Sequence, residues 1–452
     1  MDLFVGQLKC YRMLTVGLTF LVWIFYLKMF WPDTSIYRLP GPRPASKFAS
    51  NFMESPSHLD SLPQTLTNLT CLLYWPPTPG YGGNLLASTS PKTSTYHLKG
   101  PSQANYTLGG YLEAVLVARD HLGKPKTHGG DLFRAQLLGS ELKTGVPGDV
   151  QDLENGTYLL SFPLLWAGRA EVQVRLIHSS EAVGLLRRIW TEKRATVNFK
   201  GYFRGMKGPE ETVICNVDPW STGAKRATCQ YRDVVSGELW FCAQPPTLPC
   251  NSLVGHSSGA YLKVTTQHDE NLLAWSLKPV DLHVTYQVGP LMAVDTTRGI
   301  VLHWRAHSWP LRSLRTPVAS LHSVAKELAG LAGGPRTVVV LGLGAHFTTF
   351  PPTIFVRRLA GIRAAVMALL AREPSTLVVI KLANTGYKSV YGSDWFTLQV
   401  NRLLRAAFSG LRVAFVDAWE MTSSLPLPDN IHPVKLIVQN EVDLLLSFIC
   451  PT

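Results

Sequence analysis

The chain has 452 residues, of which 46% are hydrophobic and 16% charged, and its formal net charge is +12. That balance gives two or three domains with cores of their own and excludes a largely disordered chain. The basic residues are dispersed, and pairs such as Arg187-Arg188 and Arg357-Arg358 read as solvated helix faces, so the charge suits acidic glycans or a membrane surface.

Residues 1–12 form a short tail with Lys9 and Arg12, followed by an apolar stretch over 13–31 that Lys28 can interrupt by snorkelling. The small residues of a cleavage site are missing, since Lys28-Met-Phe-Trp-Pro-Asp follows. The reading is an uncleaved signal-anchor of a single-pass type II protein, with a cleaved signal peptide as the alternative. Either places the body in the secretory pathway, membrane-bound or secreted, and removes nucleic acid from the candidate partners.

Residues 32–69 are rich in Pro, Ser and Thr and read as a stem or linker. N-glycosylation sequons stand at Asn68, Asn105 and Asn155. Beyond the apolar stretch lie six cysteines, Cys71, Cys215, Cys229, Cys242, Cys250 and Cys450, an even set that suggests disulfides of open connectivity. There is no Cys-x-x-Cys and no suitably spaced histidine, so neither a metal nor another cofactor is expected.

Short alternating runs fill 105–203: Tyr111-Leu-Glu-Ala-Val-Leu-Val-Ala, Phe133-Arg-Ala-Gln-Leu-Leu, Gly156-Thr-Tyr-Leu-Leu-Ser-Phe and Glu171-Val-Gln-Val-Arg-Leu-Ile-His. Their close succession predicts a β-sandwich. Tyr158 is either the corner tyrosine of an Ig-like sandwich or an ordinary cross-strand aromatic. Residues 215–260, with four cysteines among Pro and Gly, predict a disulfide-pinned, loop-rich segment.

After about residue 276 the pattern changes. Val280-Asp-Leu-His-Val-Thr-Tyr reads as a strand, and Leu291 to Trp304 as a hairpin turning at Thr296-Thr-Arg-Gly. A helical pattern over 318–332 precedes the apolar strand Thr337-Val-Val-Val-Leu-Gly-Leu-Gly. Helices near 354–372, 394–409 and 434–448 then alternate with strands Thr376-Leu-Val-Val-Ile-Lys and Arg412-Val-Ala-Phe-Val-Asp. Such alternation predicts a parallel α/β sheet covered on both faces. Just before the last helix, Asp429 stands three residues ahead of His432, close enough for a carboxylate to orient an imidazole that activates a serine.

Gly156-Thr-Tyr-Leu-Leu-Ser-Phe-Pro-Leu-Leu-Trp and Val172-Gln-Val-Arg-Leu-Ile-His-Ser-Ser-Glu-Ala-Val resemble a neurexophilin-type domain. Ala345-His-Phe-Thr-Thr, Asn384-Thr-Gly-Tyr-Lys, Tyr391-Gly-Ser-Asp-Trp and Asp429-Asn-Ile-His-Pro resemble a PC-esterase domain. Together, over about 70–452, the chain resembles the NXPE family. The resemblance implies an Ig-like β-sandwich with its Cys-rich segment over 70–270 and a three-layer SGNH hydrolase fold over 276–452. It further implies acyl chemistry on cell-surface glycans, with Asp429 orienting His432 and with Gly344 and His346 near the oxyanion.

The family's Gly-Asp-Ser block has no counterpart. Leu272-Leu-Ala-Trp-Ser-Leu-Lys-Pro-Val-Asp-Leu-His joins the Cys-rich region directly to the strand that should follow that block. The implied domain therefore lacks its first strand, an interior one. Losing three or four buried apolar side chains at roughly 1.5–3 kcal/mol each removes about 5–12 kcal/mol, comparable with a whole domain's stability of about 5–15. Gly255-His-Ser257-Ser-Gly fits the nucleophile elbow in letters, but its context reads as a loop before a strand. Ser393 reads as a helix cap, and His307 as a structural histidine. Asp429 and His432 are then a remnant dyad. The expected protein is a membrane-anchored or secreted glycoprotein acting by glycan or protein binding. The alternatives are an active acyl-esterase or O-acyltransferase and a secreted neurexophilin-like ligand.

Overall fold

The computed structural model describes residues 68–450 apart from 79–83, 101–105, 193–194, 207, 224–226, 234–236, 274–290, 306–314, 319–322, 387–388 and 428–430. The apolar stretch 13–31, Asn105, the strand expected at 280–286, His307 and Asp429 lie outside the described residues. No described helix is long and apolar enough to cross a membrane.

The first sheet has six antiparallel strands: β1 (Thr95–Leu98), β2 (Tyr111–Val117), β3 (Leu132–Gly139), β4 (Thr144–Asp152), β5 (Thr157–Pro163) and β6 (Glu171–His178), in the order β1-β2-β5-β4-β3-β6. Alternation places Leu112, Ala114 and Leu116 of β2 and Tyr158, Leu160 and Phe162 of β5 on one buried face. β4 changes partner along its length, Thr144 to Gly148 pairing with β3 and Asp149 to Asp152 with β5. A strand shared in this way folds one sheet into two leaves. Gly148 permits it, because a Cβ there would overlap the Phe162 ring. The Tyr96 hydroxyl donates to the Val172 carbonyl at 2.8 Å, so the edge strands β1 and β6 come back within reach of one another.

Tyr158 is fully buried, and its hydroxyl donates to the Asp131 carboxylate at 2.7 Å and accepts from the Asp131 N–H at 3.0 Å. The other Asp131 oxygen accepts from the Ser180 N–H, which opens helix α1 (Ser180–Thr191). The tyrosine thus ties β5 to the start of β3 and to α1, which is more than a cross-strand contact. α1 has clear start signals, with Ser179 as side-chain cap and Glu181 in the first turn, and it interrupts the run of strands expected up to 203.

The second sheet contains β7 (Val197–Arg204), β8 (Glu210–Asn216), β9 (Thr228–Arg232), β10 (Leu239–Ala243), β11 (Leu253–Tyr261) and the short β14 (Thr316–Pro317), in the order β14-β11-β7-β8-β10-β9. The cysteine segment expected to be rich in loops keeps loops between its strands β9, β10 and β11, which join it to the sheet. Disulfides Cys215–Cys242 and Cys229–Cys250 pin it, and Cys450 is disulfide-bonded too. The ladder won over the Pro and Gly signals because Cys215, Cys229 and Cys242 face neighbouring strands in a buried cross-strand row.

His256 of β11 is fully buried against the rings of Phe199 and Trp240, and burial pushes its imidazole down to about 4, against a slight pull from the Lys200 carbonyl. The folded value is below the ordinary 6.5, so the unfolded chain binds the extra proton first. Stability from this group is complete above about pH 6.5 and falls as pH drops towards 4, by roughly 3 kcal/mol in all. Urea melts at pH 7 and 4.5 should show that loss in the wild type and a smaller one in His256→Gln. Equal losses would exclude His256 as the cause.

Short helix α2 (Gln267–Leu273) follows β11 and adds Leu272 and Leu273 to a core shared with α1. The hairpin β12 (Leu291–Asp295) and β13 (Ile300–Trp304) turns where expected, with Gly299 at φ +65°. The parallel part follows: α3 (Val324–Ala329), β15 (Val338–Gly342), α4 (Pro352–Arg372), β16 (Leu377–Lys381), α5 (Asp394–Ala407), β17 (Ala414–Val416), α6 (Ala418–Ser423) and α7 (Lys435–Ile449). Among the described residues the sheet order is β15-β16-β17. Apolar residues of α4 (Phe355, Leu359, Ile362, Val366) and α5 (Val400, Leu403, Leu404) cover Val378 and Ile380 of the central strand.

α5 serves two cores. Its first turn turns Trp395 and Phe396 the other way, into a cluster with Trp75, Leu132 and Leu185, Ile189 and Trp190 of α1. Trp395 meets Trp75 and Trp190 edge-on, at 5.9 and 5.6 Å between ring centroids. β3 is buried on both faces for the same reason. Phe133, Ala135 and Leu137 enter the sandwich core, whereas Arg134 pairs with Asp394 of α5 and Gln136 donates to the carbonyls of Ser423 and Leu425.

Candidate functional site

In an open parallel sheet, ligands sit beyond the carboxyl ends of the strands. Here those ends carry Gly342 to His346 after β15, Lys381 to Thr385 after β16 and Asp417 after β17. Gly344 lies against Ala383 so closely that a Cβ would overlap the alanine side chain. His346, partly exposed, sits on the single 3-10 turn Ala345–Thr349 that follows.

The β16 loop is fixed from three sides. Asn401 of α5 accepts from the Ala383 N–H and donates to its carbonyl, at 2.8 and 2.9 Å. Thr385 N–H donates to the Thr422 hydroxyl, and Gly386 N–H to the Asp394 carboxylate. Asn384 donates to the Ile431 carbonyl at 3.0 Å, which brings the segment carrying His432 beside the end of β16. His432 is half-buried, and burial pushes its imidazole below the ordinary histidine range, so it is neutral at pH 7.

Lys381 donates to the Asn384 side chain at 3.2 Å and lies 3.4 Å from the Glu441 carboxylate of α7. Burial pulls the Lys381 ammonium below its usual range and lifts the Glu441 carboxyl above its own, each partly opposed by the other partner. A cation, an amide and a carboxylate beside a neutral imidazole can hydrogen-bond a polyol or hold an ester carbonyl. No residue composition or spacing marked Lys381 and Glu441. The available signal was a charge ending the apolar strand Leu-Val-Val-Ile-Lys.

The other candidates lie elsewhere. Gly255 to Gly259 run through the middle of β11, without the strand-turn-helix corner an elbow requires. Ser257 is buried there with its hydroxyl 2.9 Å from that of Tyr202. Ser393 occupies the cap position of α5, yet its hydroxyl lies 3.3 Å from Nε2 of His178 and makes no cap bond. Asn155 is exposed in the β4–β5 turn, its side chain accepting from the Thr157 N–H. Among the described residues one grouping of metal-donor side chains occurs, Cys215, Cys242 and His256.

Two family models match the chain. Residues 97–273 match the neurexophilin domain, and residues 266–450 match the C-terminal domain of the NXPE family member 4-like type. The fold is thus an antiparallel neurexophilin-type region followed by a mixed α/β region. The chain belongs to the NXPE family.

Proposed function

We propose that this chain is a secretory-pathway glycoprotein whose α/β half is a PC-esterase-like, SGNH-type unit without its nucleophile strand, acting by binding glycans or cell-surface proteins. The observation that carries this reading is the outer side of β15. Among the described residues β15 pairs only with β16, and Val338 and Val340 on one of its faces are 37% and 45% exposed. An interior strand of a parallel sheet is covered on both faces, and this is the edge at which a first strand bearing Gly-Asp-Ser would pair. His432 and Asp429 are then a remnant base and its orienter, with no serine delivered to them by that strand.

The residues at the strand ends suit recognition. Lys381, Asn384 and the neutral His432 supply donors and acceptors for sugar hydroxyls or an acyl carbonyl, with Gly344 and His346 bordering them. The stretch 13–31 anchors the chain in the membrane, and Asn68, Asn105 and Asn155 carry glycans.

The test presents purified protein with O-acetylated glycans and, separately, with a serine-directed fluorophosphonate. The expected result is no acetate release above a heat-killed control and no labelled serine. One labelled serine, with acetate release lost in His432→Ala, would establish an active acyl-esterase or O-acyltransferase instead.

A further inference from the structure

We propose that the Cys215–Cys242 pair and His256 form a redox-gated site for one soft divalent cation of the Zn²⁺ class, which binds when the disulfide is open. The three donor atoms lie within 4.8 Å of one another and all three residues are fully buried. They come from β8, β10 and β11, and the strand between β11 and β8 makes room for them. His256 stands directly opposite Gly201 of β7. A Cβ at Gly201 would lie 2.5 Å from the Cys215 sulfur and 3.2 Å from that of Cys242. The missing side chain is the gap through which the imidazole reaches the sulfurs.

The backbone partner of His256 is the kind a ligating histidine has. Nδ1 lies 3.1 Å from the Lys200 carbonyl, and as the donor there it leaves Nε2 as the lone-pair nitrogen. Two thiolates and one Zn²⁺ cancel in charge, which an apolar enclosure of Phe199 and Trp240 favours.

Opening the site takes two electrons and two protons from a dithiol reductant, which leaves as its own disulfide. Each thiol then loses its proton to solvent as a metal–sulfur bond forms. Metal and disulfide are therefore alternative pins for the same β8–β10 pair, the metal in the reduced chain and the disulfide in the oxidised one. This inference is independent of the esterase reading, since it uses other residues and another sheet.

The full chain, reduced with a phosphine and titrated with Co²⁺, is expected to bind one ion per chain with a thiolate-to-cobalt charge-transfer band. The oxidised chain should bind none, and His256→Ala, reduced, should bind at least about tenfold more weakly. Because His256→Ala could disturb the sheet, alkylation of the reduced wild type provides a second measurement. Zn²⁺ should slow labelling of Cys215 and Cys242 severalfold and leave Cys229 and Cys250 unchanged. No Co²⁺ band in the reduced chain, equal affinity in His256→Ala, or uniform protection of all four cysteines would overturn the assignment.

Discussion

Expressed alone, residues 97–273 are expected to lose cooperative folding, although they match the neurexophilin family model. The physical reason is the aromatic cluster on α1. The cut removes Trp75, Trp395 and Phe396, which pack on Trp190 and its neighbours. Three large side chains at about 1.5–3 kcal/mol each amount to about 5–9 kcal/mol, against a typical domain stability of about 5–15. The fragment also loses Phe350, whose carbonyl accepts the Trp190 indole N–H, and Thr349, whose carbonyl accepts the Thr196 N–H at the entry to β7. The far face of β3, with Arg134 and Gln136, would be left to solvent. Urea melts followed by near-ultraviolet circular dichroism should give a broad, low transition and dye binding typical of exposed apolar surface. A sharp transition with native aromatic signal would show that the region stands without its neighbour.

The sequence patterns reported elements well where periodicity was local. The hairpin at 291–304 and strands β2, β3, β5 and β6 follow directly from alternation, and α4, α5 and α7 from helical spacing. The helix expected over 318–332 is described as Val324–Ala329, capped by Ser323 and ended at Gly330. Two things were not legible for one common reason, that they depend on residues distant in the chain. The strands of the cysteine segment read as loop until β7 and β8 are beside them. The burial of Arg134 and Gln136 within an alternating strand makes sense only when a second layer covers β3. At the site, the Asp429–His432 spacing was visible in the sequence. The Lys381–Glu441 pair, 3.4 Å apart across 60 positions, was not.

Arg134→Ala is expected to destabilise the protein by about 3–5 kcal/mol, far more than an arginine on a strand ordinarily would. Arg134 is 8% exposed and Asp394 1%, so neither charge has water to fall back on. Removing the guanidinium takes a charged partner from a buried carboxylate that also accepts from the Gly386 N–H. The pair also connects positions 260 apart, fastening β3 to the first turn of α5 beside Trp395. Its loss should therefore loosen the aromatic cluster as well as the ion pair. Asp394→Asn should cost a comparable amount by leaving the arginine cation buried. Combining Arg134→Met with Asp394→Asn removes both charges, fills the arginine's volume and keeps an acceptor for Gly386. That double variant should lose less than the separate losses of Arg134→Met and Asp394→Asn summed, by about 2 kcal/mol or more, a coupling within the range for contacting residues. Denaturant melts of the four proteins measure it. Strictly additive losses would mean that the two charges act separately and that the junction is held by the tryptophans alone.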